Sequence, residues 1–134
     1  MKPEEFAQLA DLLARPEAPC PDASVRSSAS RYYYSVFLEA RDELKEKRGL
    51  RFLKKHDVHK CVREAFEFAK GDKSLKLIGR CLGDLKQLRE HADYDIDVAF
   101  SPGDLHDAKD LCTRIRNSLS SADLSKCVDP LCRS

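Results

Sequence analysis

Arg89, His91, Asp93 and Tyr94 lie close together in the segment Leu88-Arg-Glu-His-Ala-Asp-Tyr-Asp95. An arginine can stabilise developing negative charge, as on a phosphate, and a histidine can carry protons near neutral pH. Upstream, Leu75, Ile78, Leu82 and Leu85 recur at helical spacing and form one apolar stripe. The next positions on that face are Arg89 and Asp93. Ionised groups buried without partners cost roughly several kcal/mol. The two therefore either neutralise each other as an ion pair pinning the helix end, or line a cleft for binding or catalysis. Tyr94 reads as a core ring with a hydrogen-bonded hydroxyl, or else as a substrate contact. His91 stands two positions from Arg89, and at about 100° per residue a helix aims it elsewhere. A helix break at His91 would let the ring turn back.

A second set is basic. Lys45, Lys47, Arg48, Arg51, Lys54, Lys55 and Lys60, with His56 and His59, form the densest cationic stretch. It reads as a solvated helix end and loop, or as a phosphate-tracking patch whose binding would be salt-sensitive. In the second case Arg48, Arg51, Lys54, Lys55, His56, His59 and Lys60 would contact RNA. His56 and His59 share a local face but lack an evident third metal ligand, and no cofactor is called for. Cys61, Cys81 and Cys112 sit in helical patterns as small hydrophobes. Cys20, Cys127 and Cys132 fall in loop-like or terminal sequence, and Cys127 and Cys132 have no second pair with which to build a zinc site.

The elements that must position these residues are helical. Pro3 to Arg15 forms a first helix with Phe6, Leu9, Leu12 and Leu13 on one side. Asp22 caps a long second helix ending near Arg48, with Gly49 as its stop. Its inner face holds Val25, Ala29, Tyr32, Tyr33, Val36, Phe37, Ala40 and Leu44. Tyr34, Leu38 and Arg41 face outward, under the first helix or toward a second copy. Asp57 caps a third helix to about Lys70, and Lys73 to about Ala92 forms the fourth. Gly79 and Gly83 remove side chains from one side of it, marking close helix packing within or between protomers. Tyr94 to Phe100 is extended or turn-like. Ser101-Pro-Gly-Asp104 combines an N-cap, a first-turn proline and an acidic third position, and opens a fifth helix ending near Ser120. The expected fold is all-α, an up-and-down bundle of four to five helices spanning residues 1–120, with a loose tail at 121–134.

Composition agrees. Five glycines and six prolines in 134 residues favour helices. The charged fraction is 35%, yet the net charge is +1, which argues against a strongly basic nucleic-acid coat protein but permits a local patch. No apolar run approaches the roughly 20 residues of a membrane span, so no membrane partner is expected. The first residues lack the apolar core of a secretory signal, and a cytoplasmic location is the expectation.

Three segments in order resemble the HEPN family, the "higher eukaryotes and prokaryotes nucleotide-binding" domains. Ser28-Ala-Ser-Arg-Tyr-Tyr-Tyr-Ser-Val-Phe-Leu-Glu-Ala-Arg41 is similar to the long helix of a small stand-alone prokaryotic branch. His56-Asp-Val-His59 looks like that branch's entry to the next helix. Leu88-Arg-Glu-His-Ala-Asp-Tyr-Asp95 resembles its Arg-x-x-Ala-Asp-Tyr signature. The resemblance spans about Val25 to Leu119 and implies a helical bundle that dimerises. Many members are metal-independent endoribonucleases of toxin–antitoxin and defence systems. Others are non-catalytic partners, often beside a minimal nucleotidyltransferase.

In nucleolytic members a histidine follows the arginine by four to six residues, and two protomers join these pairs over one phosphate. Here that place holds Asp93, Tyr94 and Asp95, and a carboxylate beside an arginine is a poor proton donor. Arg51-Phe-Leu-Lys-Lys-His56 has the spacing but lies elsewhere, in sequence basic enough for a chance match.

Two functions follow as expectations. One is a homodimeric, toxin-like or defence-related endoribonuclease acting on RNA, with Arg89, His91, Asp93 and Tyr94 at its site. The other is a non-catalytic module that binds a nucleotidyltransferase antitoxin or a defence-system effector.

Overall fold

The structure is a computed structural model, and it describes residues 1–53 and 57–130. Five helices follow in order: α1 (Glu4–Leu13), α2 (Pro21–Arg48), α3 (Val58–Glu67), α4 (Lys73–Tyr94) and α5 (Pro102–Ser121). A short 3-10 helix, Leu124–Lys126, comes last. The protein is an all-α bundle. α2, α4 and α5 pack on one another, α1 lies along α2, and α3 lies mainly along α4.

The helix ends follow local chemistry. Asp57 accepts a hydrogen bond from the Lys60 N–H, and Asp72 accepts one from Leu75. Ser101 and Asp104 form a reciprocal capping box at the start of α5. Gly49 ends α2 at φ +64°, a left-handed conformation that glycine adopts without a Cβ penalty. The N-terminus of α2 departs from expectation. Cys20 is its N-cap and Pro21 its first residue, while Asp22 sits in the first turn and pairs with Arg26 at 3.1 Å instead of capping.

In α2 to α5 the core is where the apolar patterns place it, whereas α1 buries Ala7 and Ala10 and leaves Leu9 and Leu12 of its expected face exposed. Val36 and Leu44 of α2, Val62 and Phe66 of α3, Leu75, Ile78 and Leu85 of α4, and Ile115 and Leu119 of α5 are essentially fully buried. Each such side chain stabilises the fold by about 1.5–3 kcal/mol relative to exposure. Tyr34 and Leu38 are half-buried. The Tyr34 ring meets Phe6 of α1 at 6.4 Å, so this outer face packs under the first helix.

The segment after α5 is a correction to the expected loose tail. Leu124 and Cys127 are buried, and Arg48 donates from Nε and Nη2 to the Cys127 carbonyl at 3.1 and 2.9 Å. The Val128 N–H donates to the Ala65 carbonyl at 3.0 Å. Two apolar side chains and a buried guanidinium contact are enough to hold it. Burial pushes the Cys127 thiol up to about 12, so it stays protonated as part of the core. Cys132 lies outside the described residues.

Gly79 and Gly83 mark close packing within the protomer. A Cβ on Gly79 would stand 2.6 Å from Glu67 Cγ and 2.7 Å from the Glu67 backbone nitrogen. A Cβ on Gly83 would meet Arg63 Cδ at 3.3 Å and Glu67 Oε1 at 3.9 Å, both on flexible side chains that can yield. Alanine gains about 1 kcal/mol of helix propensity over glycine, whereas overpacking against backbone costs about 1–3 kcal/mol. Gly79→Ala should therefore lower stability by up to about 2 kcal/mol net, and Gly83→Ala should leave it unchanged or raise it. Urea denaturation of the two variants checks this difference in sign.

Candidate functional site

α4 carries its apolar stripe into the core and then, one turn on, presents Arg89. The residue is only 9% exposed. Its guanidinium lies among rings, with Cζ 5.5 Å from the Tyr33 centroid, 5.6 Å from Tyr34 and 6.0 Å from Tyr94. Cation–π contacts of this kind contribute about 0.5–2 kcal/mol each as desolvation increases. Asp93, one turn later, is the acidic partner, with Nη1 to Oδ2 at 3.5 Å. The Arg89 Nε is buried with no hydrogen-bond partner among the described residues.

This geometry bears on the two sequence readings of Arg89. A guanidinium whose task is to pin a helix end is best served by short, bidentate contacts of about 2.7–2.9 Å. Arg89 instead has one long contact and an orphan Nε. Asp93 is itself loosely held, accepting from Ser30 Oγ at 3.4 Å, and Arg31 reaches Ser30 at 3.5 Å. The chain from Arg31 through Ser30 and Asp93 to Arg89 is thus long at every link. Either guanidinium could exchange it for an incoming oxyanion with little loss.

His59, from the second position of α3, joins the same cluster. Its ring stacks on Phe37 at 4.2 Å and on Tyr33 at 5.6 Å, and meets Tyr34 edge-on at 6.0 Å. Its Nδ1 is 2.6 Å from the Tyr33 hydroxyl. Burial, then the nearby Arg89 charge, hold its pKa below the ordinary histidine value. The imidazole is neutral at pH 7 and capable of accepting a proton. Burial also raises the Tyr33 phenol, so this hydroxyl stays protonated.

The structure separates other residues that the sequence grouped with Arg89. α4 runs unbroken to Tyr94, so His91 stays on its own face. There Nδ1 pairs with the Asp95 carboxylate at 3.1 Å and the ring lies 5.6 Å from Phe100. Tyr94 is no core ring. It is 71% exposed and covers Arg89 from the solvent side. The basic stretch also divides. Arg48 is committed to the Cys127 carbonyl and Lys47 pairs with Glu43 at 2.6 Å. Arg51 and Lys60 are exposed, His59 turns inward, and Lys54, Lys55 and His56 lie outside the described residues. No group of three potential metal ligands comes together among the described residues.

Sequence reasoning missed Ser30 and Arg31, and it placed Tyr33, Tyr34 and His59 elsewhere. A partial signal existed. Positions 30, 33, 34 and 37 of a helix share one face, and three of them are aromatic. Nothing in α2 alone indicates that α4 sets an arginine against that face.

A 112-residue stretch is 30% identical to an uncharacterized protein of Methanocaldococcus jannaschii, covering 73% of this chain. The match covers 63% of that protein, so the chain spans less than two-thirds of its relative's length. No family model and no solved structure matches. No helix among the described residues is long and apolar enough to cross a membrane.

The lowered His59 pKa carries a sign. The unfolded chain binds the proton more readily, so this group's contribution to stability is fully present above the unfolded value near 6.5. It is lost as pH falls through the lower folded value. Between pH 7.5 and 5 the wild type should lose more unfolding free energy than His59→Gln. Urea titrations at both pH values measure this, and equal losses would show that His59 titrates normally.

Proposed function

We propose that this chain is a HEPN-type, RNA-acting protein, a metal-independent endoribonuclease that works as a homodimer in a toxin or defence setting. The observation that carries the reading is the buried Arg89 guanidinium, loosely paired to Asp93 and set beside the neutral His59 ring. Its resemblance to the HEPN signature lies on this same arginine.

The chemistry follows from the two groups. The 2′-hydroxyl of a bound ribose attacks the adjacent phosphorus and gives its proton to His59. This step uses the ring as its Nδ1–H tautomer, donating to the Tyr33 oxygen, so that Nε2 is free for the proton. Arg89 stabilises the extra negative charge on the pentavalent phosphorane. The bond from phosphorus to the 5′-oxygen then breaks, a proton returns to that oxygen, and a 2′,3′-cyclic phosphate remains. His59 takes the part that the sequence pattern assigns to a histidine after Arg89, and His91 stands aside. Arg51 and Lys60, exposed near the start of α3, would lengthen the contact with the RNA backbone. In the homodimer, a second copy brings another arginine and imidazole to the same phosphate.

A second reading is favoured by one feature. Ile96 is 72% exposed and Val98 is also exposed, in an acidic turn beside Tyr94. Such a surface suits a non-catalytic module docking onto a nucleotidyltransferase or an effector protein, with Arg89 and Asp93 then only shaping the turn.

Cleavage of a mixed single-stranded RNA pool in EDTA decides between them. Wild type and His91→Ala should cleave. Arg89→Ala should lose about 10²–10³-fold and His59→Ala about 10²–10⁴-fold, with folding checked by circular dichroism. Absence of cleavage by the folded wild type at high concentration would turn the assignment to the partner module.

A further inference from the structure

Arg89 is one of two guanidiniums on the Tyr34 ring. Arg31, from α2, places its Cζ 5.4 Å from Tyr34 and 5.4 Å from Phe6 of α1. Arg89 lies 5.6 Å from Tyr34 and 6.0 Å from Tyr94. The five side chains thus alternate in a row, Phe6, Arg31, Tyr34, Arg89, Tyr94. Three helices contribute, and each contact between successive members is that of a cation over a ring.

Two properties of the row point to a ligand. First, among the described residues its two guanidiniums share a single ion-pair contact, that of Arg89 with Asp93. Among the described residues the Arg31 guanidinium's hydrogen bond is a long one, 3.5 Å to Ser30 Oγ beside the row. Second, one end of the row is a tyrosine 71% exposed, an unusual place for a large ring in a bundle whose other tyrosines are at least half-buried. Alternating cations and aromatic faces are what a single nucleic-acid strand requires, because each nucleotide offers one anionic phosphate and one flat base. A duplex would present its bases stacked and its edges in grooves, leaving an isolated ring without a partner.

We infer that this row is the binding register for single-stranded RNA. Arg31 holds the phosphate neighbouring the one at Arg89, and Tyr94 stacks a base of the same strand. This rests on the reading of Arg89 as a phosphate-binding group and adds to it two residues that position the strand. Arg31 and Tyr94 are positioning residues: they set which phosphate reaches Arg89 and move no proton.

Fluorescence anisotropy of the full chain with a labelled 2′-O-methyl oligouridine, which lacks the attacking hydroxyl, tests binding apart from cleavage. Arg31→Gln should weaken binding about 5–10-fold and reduce the slope of log K against log salt by about 0.7, the loss of one phosphate contact. Tyr94→Ala should weaken binding at least about 5-fold, the lower end for one stacked base, and Tyr94→Trp should restore it. Asn117→Ala, an exposed change on α5, which contributes no side chain to the row, should have no effect. If Arg89→Ala weakens binding but Arg31→Gln and Tyr94→Ala do not, the row is overturned while Arg89 keeps its phosphate. If the wild type does not bind, or Arg89→Ala binds as well as wild type, both readings fail and the row belongs to a protein contact.

Discussion

Helix α2 is enclosed, and most other features follow from that constraint. It is flanked by α1, α4 and α5 along its length and touched by α3 and the C-terminal 3-10 helix. A helix covered on so many sides cannot send its polar residues to water. Ser24, Arg26, Ser28, Ser30 and Ser35 are buried as a result. Burying such groups is tolerable only when each finds a partner, since an unmet one costs about 1–3 kcal/mol. Ser28 donates to the Ala10 carbonyl at 2.7 Å, fastening α1, and Ser35 donates to Tyr32 within α2 at 2.8 Å. Arg26 has the largest task. Its Nη1 donates to the Ala92 and Asp95 carbonyls, both at 3.2 Å, and its Nη2 to Val98 at 2.6 Å. One cation from α2 thereby caps the carbonyl end of α4 and holds the turn that follows.

That clasp places the candidate site. With the end of α4 fixed against the start of α2, Arg89 is set against the tyrosines one to two turns along α2, and Asp93 against Ser30. The ring cluster from Tyr33 to Phe37 then shields Arg89 on its inner side while His59 closes the cluster from α3. Arg26 and Arg89 show how differently two buried arginines are used. Arg26 commits four of its five N–H donors, one to the Asp22 carboxylate and three to backbone carbonyls, and has little capacity left for a ligand. Arg89 retains an unpartnered Nε and a single distant carboxylate, so it has capacity to spare.

Charge distribution tells a similar story. The basic run between α2 and α3 looks uniform as text, but its members have separate employment. Arg48 secures the C-terminal segment and Lys47 an i−4 glutamate. His59 turns into the aromatic cluster, leaving Lys45, Arg51 and Lys60 exposed among the described residues. Cations that are free of carboxylates count for more in phosphate recognition than cations that are merely numerous. Arg31, isolated in the sequence, has a better claim by that measure than Lys47.

The sequence by itself determined the helices and the core. Apolar spacing located α1 to α5, and Asp57, Gly49 and Ser101 with Asp104 marked their ends, because periodicity and capping are properties of neighbours along the chain. It also singled out Arg89 and Asp93, since two charges continuing a core stripe conflict with the local pattern. It read Tyr94 first as a core ring and the segment after α5 as loose, and it gave no role to Arg26 or Arg31. Each of those depends on what another helix sets opposite. His91 and Arg89 are two residues apart yet point to different neighbours, whereas His59 and Arg89 are thirty residues apart and share two tyrosines. Helical periodicity fixes which face a side chain occupies. Only the packing of α2 against α3 and α4 decided which faces meet, and that meeting sets the burial and the partners of every group in the site.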